Sequence, residues 1–465
     1  MRRLLLLAGL VGALACASSA GAAGVLFIRG GGFGHGIGMS QYGAYGYAQH
    51  GKDYRFILHH YYRGTTLGHV APTQTVRVLL GTGSAAFAGA TRADAKRLKP
   101  GLTYRVVAQA DGALVLIGPK GHKLGRFPAP LRVTGPGPLL VAGLGSYRGA
   151  LEFRPDGSGG VQTVDALGLD DYVRGVIAAE MSASWPAAAL EAQAVAARTY
   201  AITASVAGNG YSLYPDTRSQ MYRGVAAEAP QSDVAVAATR GQIVEYGGVP
   251  ATTFFSSSSG GYTENIENVW TGATPQPWLR GVPDPYDGAA GNPYHHWGAD
   301  YSLGAAGAKL GGLVKGSFIG VRVLRHGVSP RILLAAVVGS RGTTQVTGAA
   351  LTQRFGLLTT LAAFTTITTA PRSGQGLGAD GRTGTLGLFT LQRSLATSRL
   401  PALHGDIIPG RSGDRYSVEE LVGGTWKPVR RLTLGTGGTF SARVASPGRY
   451  RVVYRGLDGP AVDVG

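Results

Sequence analysis

The chain has 465 residues, more than one ordinary hydrophobic core can hold, and its length predicts two or three domains. Glycine supplies 75 residues while Asp, Glu, Lys and Arg together make 15%, a balance that excludes an all-helical bundle and predicts many turns and short strands. The formal net charge of +18 would point to nucleic acid inside a cell and to anionic polymers outside it.

The first residues decide between those two. Met1-Arg2-Arg3, the apolar run LLLLAGLVGALA and the small residues after it have the three parts of a secretory signal, with cleavage expected after Ala22. The run is shorter than the ~20 residues of a spanning helix, and Ser18-Ser19 interrupt it, so the membrane is expected only as the route of secretion. Export directs the positive charge toward anionic wall polymers and away from nucleic acid. Cys16, the one cysteine, lies inside the signal, with Ala13 where a lipid-modified cysteine prefers Leu or Val. The mature chain would then have neither disulfides nor thiolate metal ligands.

Val25 to Ile28 read as a short strand that runs into the glycine-rich GGGFGHGIGMSQYGAYGYAQHG. From about Thr75 to Gly160 the text alternates short strands (TVRVLL, TYRVVAQA, ALVLIG, PLLVAG, ALEFR) with Gly, Pro and Asp turns. Between about Val164 and Ser205 the period changes to about 3.6, which predicts two helices. Val173, Val176 and Ile177 form the apolar stripe of the first, with Glu180 at the next position of that stripe. The second starts after Ser184-Trp185-Pro186, where serine can cap and proline is tolerated. Leu190, Ala194, Ala197 and Ala201 make its small-residue face.

Strand character returns at QIVEY and VPATTFF, before the polar turn SSSSGGYTEN, and 271–299 read as an irregular surface loop. SFIGVRVL and RILLAAVVG are the next strands, followed by a short helix around Leu351 to Leu361. A linker is expected at 371–384. LGLFTLQRS, DRYSVEELV, TWKPVRRLTL, TFSARVA, GRYRVVYRG and AVDVG then predict an all-β sandwich over 385–465.

Chemistry is concentrated in few places. A carboxyl group held against Val and Ile has its charged form disfavoured, so Glu180 could hold a proton near neutral pH as a general acid; the alternative is a solvated helix-end glutamate. The glycine-rich segment sets His35, Ser40, Gln41 and Tyr42 among residues with almost no side chains, either for close approach to a ligand or as a flexible loop. Its spacing does not fit the dinucleotide pattern G-x-G-x-x-G. Ser256 to Ser259 precede hydroxyl, amide and aromatic groups suited to sugar, though the run also reads as a plain connector. Adjacent histidines on a strand would point to opposite faces, so His59-His60 and His295-His296 predict no metal site.

Three stretches resemble one family. LDDYVRGVIAAEMSASWPAAALEAQAVAARTYAI, GFGHGIGMSQYGAYGYAQHGKDYRFILHHYYRGTTL and FFSSSSGGYTENIENVW are similar to the three signatures of the SpoIID/LytB proteins. The sporulation members are lytic transglycosylases acting on peptidoglycan glycan strands, and the LytB members are enhancers of a wall amidase. The resemblance implies that Glu180 is the catalytic acid, and that His35, Ser40, Gln41, Tyr42, Gln193, Arg198, Tyr200, Gln220, Ser257 and Ser258 bind substrate or support the site. It implies an α+β fold: a signal over 1–22, an H-G-x-G-M-S-Q-Y-G-A segment over 23–70 completing the catalytic domain, and the main β-rich domain with its helical insert over 71–370.

In the sporulation arrangement that segment closes the domain, whereas here it precedes the helices. Some relatives bind zinc through cysteines near the stretch that reads YPDTRSQMY here; with Ser219 in place, no metal and no cofactor are expected. A single acid suits transglycosylation. A hydrolase would want a second carboxylate, for which Asp171 and Glu264 are the nearest candidates. The implied partners are glycan strands, a wall amidase or other wall protein, and anionic wall polymers.

Overall fold

The computed structural model describes residues 23–372 and 401–465, apart from 205 and 207–209. The signal segment 1–22, residues 373–384 of the expected linker and the expected strand LGLFTLQRS lie outside the described residues. The fold is mixed, 22% helical and 40% strand in several sheets, in keeping with the α+β class.

The strand Ala23–Gly30 sits inside a sheet. It pairs antiparallel with Trp297–Ser302 on one side and Ala362–Arg372 on the other, and the sheet continues through Ala402–Ile408 to Thr439–Arg443. Its alternation of faces separates two cores. Leu26 and Ile28, both fully buried, pack with Phe318, Val321, Val337, Leu351 and Phe355. Phe27 faces the opposite way, toward Ile367, Leu403, Ile407, Tyr416, Phe440 and Val452. The C-terminal strands Arg415–Val422, Thr425–Thr433, Gly448–Tyr454, Leu457–Asp458 and Val462–Val464 form the second sheet around that core. A sandwich confined to 385–465 is therefore not what covers this core, because one of its sheets runs on into Ala362–Arg372 and the N-terminal strand. Apolar side chains on both faces of Ala23–Gly30 require a layer on each side.

Residues 75–168 form two six-stranded sheets. Strand Val161–Gly168 continues to the first helix, so the helical period begins at Leu169 and not at Val164. We number the helices α1 (Gln41–Gln49), α2 (Tyr54–Tyr61), α3 (Leu169–Glu180), α4 (Ala187–Thr203) and α5 (Pro230–Ala238). Tyr172, Val173, Val176 and Ile177 of α3 are fully buried, each contributing about 1.5–3 kcal/mol. Helix α4 is apolar nearly all round, as a helix enclosed by neighbours must be, and it packs against α1, α2, α3, α5 and strand Gln242–Tyr246. Pro186 is its N-cap with no side-chain cap bond, so the expected serine cap does not form; the Ser184 hydroxyl pairs with that of Ser182 at 2.9 Å.

The stretch 271–299 is irregular but not superficial. Leu279, Val282, Asp284 and Asp287 are at most 1% exposed, because this loop fills the space between α1 and the serine-rich turn. His59 and His60 lie on α2 and not on a strand. The glycine-rich segment is tightly held, its backbone meeting the serine-rich turn directly: Phe33 N donates to Ser258 O at 2.9 Å, and Met39–Ser40 pairs in parallel with Phe255–Ser256. Gly36 adopts φ +73, and a Cβ there would collide with the buried Arg331 guanidinium.

Two glycines separate backbone strain from packing. Gly51 has φ +74 with open space around it. Gly51→Ala should therefore cost only the strain of a left-handed residue, about 1–2 kcal/mol. Gly36→Ala adds a collision with an immobile side chain and should cost roughly 3 kcal/mol or more. Guanidinium unfolding midpoints of the two variants check the ranking.

Candidate functional site

Glu180 is the last residue of α3, at the point where the helix's buried stripe reaches the surface, and it is half-buried. The segment 219–223 runs alongside because α3 admits it. Gly175 has no Cβ to block the Tyr222 ring, Arg223 N donates to Gly175 O at 3.0 Å, and the Tyr222 hydroxyl donates to Asp165 at 2.6 Å. Gln220 adds bonds to the Tyr172 hydroxyl and Ala197 O. Held this way, the segment delivers Met221 N to Glu180 Oε1 at 2.7 Å. Gln41 Nε2 donates to Glu180 Oε2 at 3.3 Å from the first turn of α1. Burial raises the Glu180 pKa above the usual carboxylate range, while the bonds from Met221 N and Gln41 oppose the rise without cancelling it. The site thus offers a carboxyl group biased toward its protonated form yet open to solvent on one side.

A network of buried hydrogen bonds fixes where Gln41 stands. Ser40 caps α1 by accepting from Gly43 N at 3.1 Å and donates to Asp287 Oδ1 at 2.8 Å. Asp287 also accepts from the Ser258 hydroxyl, Ser259 N, Gly260 N, Asn292 Nδ2 and His295 Nδ1, all at 2.8–3.2 Å. Asp284 beside it accepts from Tyr61 and Ser259. Burial next to Asp287 pushes the Asp284 pKa up to about 7.

Two rows of partly exposed aromatic rings start near Glu180, one through Tyr42 next to Gln41 and one at Tyr200. One row runs from Tyr45, stacked on Trp185 at 4.6 Å, through Tyr42 and Tyr294 to Phe33. A second joins Tyr200, Phe254, Trp270 and His35, at ring separations of 4.7–5.8 Å. Tyr200 hydrogen-bonds Ser219, whose hydroxyl also accepts from Tyr214 N.

Of the residues singled out in the sequence, Gln41 touches Glu180, and Tyr42 and Tyr200 stand in the two aromatic rows. His35 is a bracket: Nδ1 accepts from Ile37 N at 3.0 Å, the ring hydrogen-bonds the Phe255 backbone, and burial with Arg331 nearby lowers its pKa to about 4. Ser257 meets α1 through its carbonyl, which accepts from Tyr42 N at 3.0 Å. Direct substrate contact does not hold for Ser40, Gln193, Arg198, Gln220 or Ser258, each at most 1% exposed. Arg198 pairs with Asp170 at 2.7 Å and donates to Gln242 O, clamping α4 to α3 and to a strand. The Gln193 amide has no hydrogen-bond partner among the described residues.

Neither candidate for a second acid is suited to that role. Glu264 is fully buried and accepts five hydrogen bonds, from Asn265 N, Asn268 Nδ2, Val328 N, Ser329 N and the Ser329 hydroxyl. Asp171 sits in the first turn of α3, at the end opposite Glu180, facing Arg174. Sequence reasoning passed over Met221 N, Trp185, Tyr45, Tyr294 and the Asp284–Asp287 pair. A tryptophan and a proline opening a helix beside the acid were the available signal for Trp185; nothing local marked the aspartates.

Residues 157–246, which contain α3, α4 and segment 219–223, match the family described as Stage II sporulation protein. The chain is 38% identical over 143 residues to Stage II sporulation protein D of Bacillus subtilis (strain 168), covering 27% of this chain and 41% of that protein. It is 37% identical over 142 residues to the protein of the same name from Bacillus amyloliquefaciens, again covering 41% of that relative. It is 42% identical over 103 residues to the Amidase enhancer of Bacillus subtilis (strain 168), covering 22% of this chain and 14% of that protein. The chain thus spans about two-fifths of the length of the sporulation relatives it matches. The resemblance to SpoIID/LytB proteins stands on these matches.

Two titrations test the electrostatics. Gln41→Ala removes a donor that favours the charged carboxylate, so the Glu180 pKa should rise further, by about half a unit to one unit, in a carbon-13 NMR titration. Asp284 has a folded pKa above its unfolded value, so its contribution is fully present below about pH 4 and is lost as pH rises through about 7. Asp284→Asn should therefore match the parent near pH 4 and exceed it at pH 8, by on the order of 2–4 kcal/mol, in chemical unfolding.

Proposed function

We propose that this is an exported cell-wall protein that cleaves the β-1,4 bond between N-acetylmuramic acid and N-acetylglucosamine in peptidoglycan glycan strands without adding water. The observation that carries this reading is the carboxyl group of Glu180, raised in pKa, half-buried, and near two aromatic rows. Protonated Glu180 donates its proton to the glycosidic oxygen as the C1–O bond breaks. The carboxylate left behind takes the proton of the muramoyl C6 hydroxyl, whose oxygen attacks C1 and closes a 1,6-anhydro ring. One acid serves both steps, which accords with the burial of Glu264 and with the place of Asp171 at the opposite end of α3. Met221 N and Gln41 hold the carboxyl orientation through both protonation states. Tyr42, Trp185, Tyr200 and Trp270 offer faces on which sugar rings can stack, with hydroxyl and amide groups between them.

A second reading has its own support in the match to the Amidase enhancer. In that reading the same surface grips glycan and positions a separate wall amidase, and Glu180 only contributes a hydrogen bond.

One experiment separates them. The mature chain is incubated with purified glycan strands, intact and stripped of stem peptides, and the products are analysed by mass. Anhydro-muramoyl ends that disappear in Glu180→Gln are expected; strand binding without any product would leave the enhancer reading. Trp185→Ala should raise KM by about tenfold through lost stacking and burial while leaving kcat within a few-fold, since it touches substrate remote from the breaking bond.

A further inference from the structure

Far from Glu180 in the sequence, the C-terminal sheets leave one side open. Thr425–Thr433 is the edge strand of one sheet and Thr439–Arg443 the edge strand of the other, joined by residues 434–438. Between them is a cavity of about 310 Å³ lined by Glu420, Val429, Arg430, Arg443, Val444, Ala445 and Tyr450.

Local strand geometry creates it. In a regular strand Val429 and Arg430 would point to opposite faces, but the register slips here: Val418 pairs with Arg430 and Glu419 with Pro428, leaving Val429 as an extra residue. A bulge of this kind turns neighbouring side chains toward the same side. Arg430 Nη1 donates to Arg443 O at 3.0 Å and fastens the two edges together, and both arginines line the cavity. Among the described residues neither guanidinium has a carboxylate within ion-pair distance, and the same holds for Lys427 and Arg431 on the same strand. The one acid in the lining, Glu420, accepts from the Tyr450 hydroxyl at 3.0 Å. Charge, proline and a bulge also keep an open edge from pairing with another chain. Edge protection, however, requires neither a cavity nor arginines from two sheets lining it.

We propose that this cleft binds a phosphodiester-linked polyol or sugar polymer, one phosphate lying between Arg430 and Arg443 and the uncharged spacer lying on Val429, Val444 and Ala445. Arginine's planar fork matches an oxyanion in two places at once, and the aliphatic floor suits the spacer. A peptide is the poorer ligand. It would dock by adding a strand to the edge, and Pro428 lacks the N–H while the bulge breaks the ladder such pairing needs. This site is independent of the chemistry read at Glu180.

The test uses the whole chain and synthetic polyglycerol phosphate, with titration calorimetry as the readout and polyglutamate as a carboxylate polymer of similar charge. Arg430→Gln with Arg443→Gln should weaken binding by about tenfold or more, the loss of charge-assisted hydrogen bonds. Lys96→Gln with Arg97→Gln removes the same charge from exposed positions elsewhere and should change it less than about twofold. Ala445→Glu, which places a carboxylate in the cleft and leaves both arginines in place, should also abolish binding. Equal losses in the two double variants would mean only the overall charge binds and would overturn the site. Equal or tighter binding of polyglutamate would overturn the phosphodiester assignment, and no binding of polyglycerol phosphate by the parent would overturn both.

Discussion

The site depends on a carboxylate that no ligand can reach. Asp287 is fully buried, and burial of a charged group costs several kcal/mol unless donors surround it. Here they come from the cap of α1, the serine-rich turn, and its own loop through Asn292 and His295. Three segments separated widely in sequence can satisfy that carboxylate only by meeting in one arrangement. That arrangement sets the first turn of α1, and so Gln41, against the end of α3. The family-like signatures are thus mostly framework, and their serines act by donating to an aspartate outside them.

Two glutamates illustrate how surroundings divide similar groups into different roles. Glu264 disappears into the core under five donors, which leaves it no lone pair directed at solvent. Glu180 stands at a helix end with two donors and an open side, in surroundings apolar enough to favour the proton and polar enough to hold the carboxyl still. The second situation serves acid chemistry, since a donor must be poised, oriented and accessible together.

Periodicity made much of this readable in advance. The strands between Thr75 and Gly160, the two helices after them and the place of Glu180 on an apolar stripe follow from side-chain spacing, which is a local property. What escaped was set by distant partners. The loop 271–299 has the composition of surface, yet its aspartates go inside because Ser40, Ser258 and Tyr61 supply donors from elsewhere in the chain. Arg198 entered the candidate site through the family resemblance alone, and its concealment follows from Asp170 one helix away. The glycine-rich segment suggested room for a ligand, and the space between its glycines holds Arg331 and the serine-rich turn.

The N-terminal strand has a bearing on how the chain reaches this state. Ala23–Gly30 is synthesised well before the strands it pairs with, at 297–302 and 362–372, and the bond from the Thr359 hydroxyl to Gly31 O spans 328 residues. Pairs this far apart close a very large loop before any contact repays the lost freedom, which makes their formation slow. Both cores built on this strand must wait for that closure. An unpaired strand with Leu26, Phe27 and Ile28 uncovered is sticky meanwhile, so folding depends on how long this early segment can be shielded until its later partners arrive.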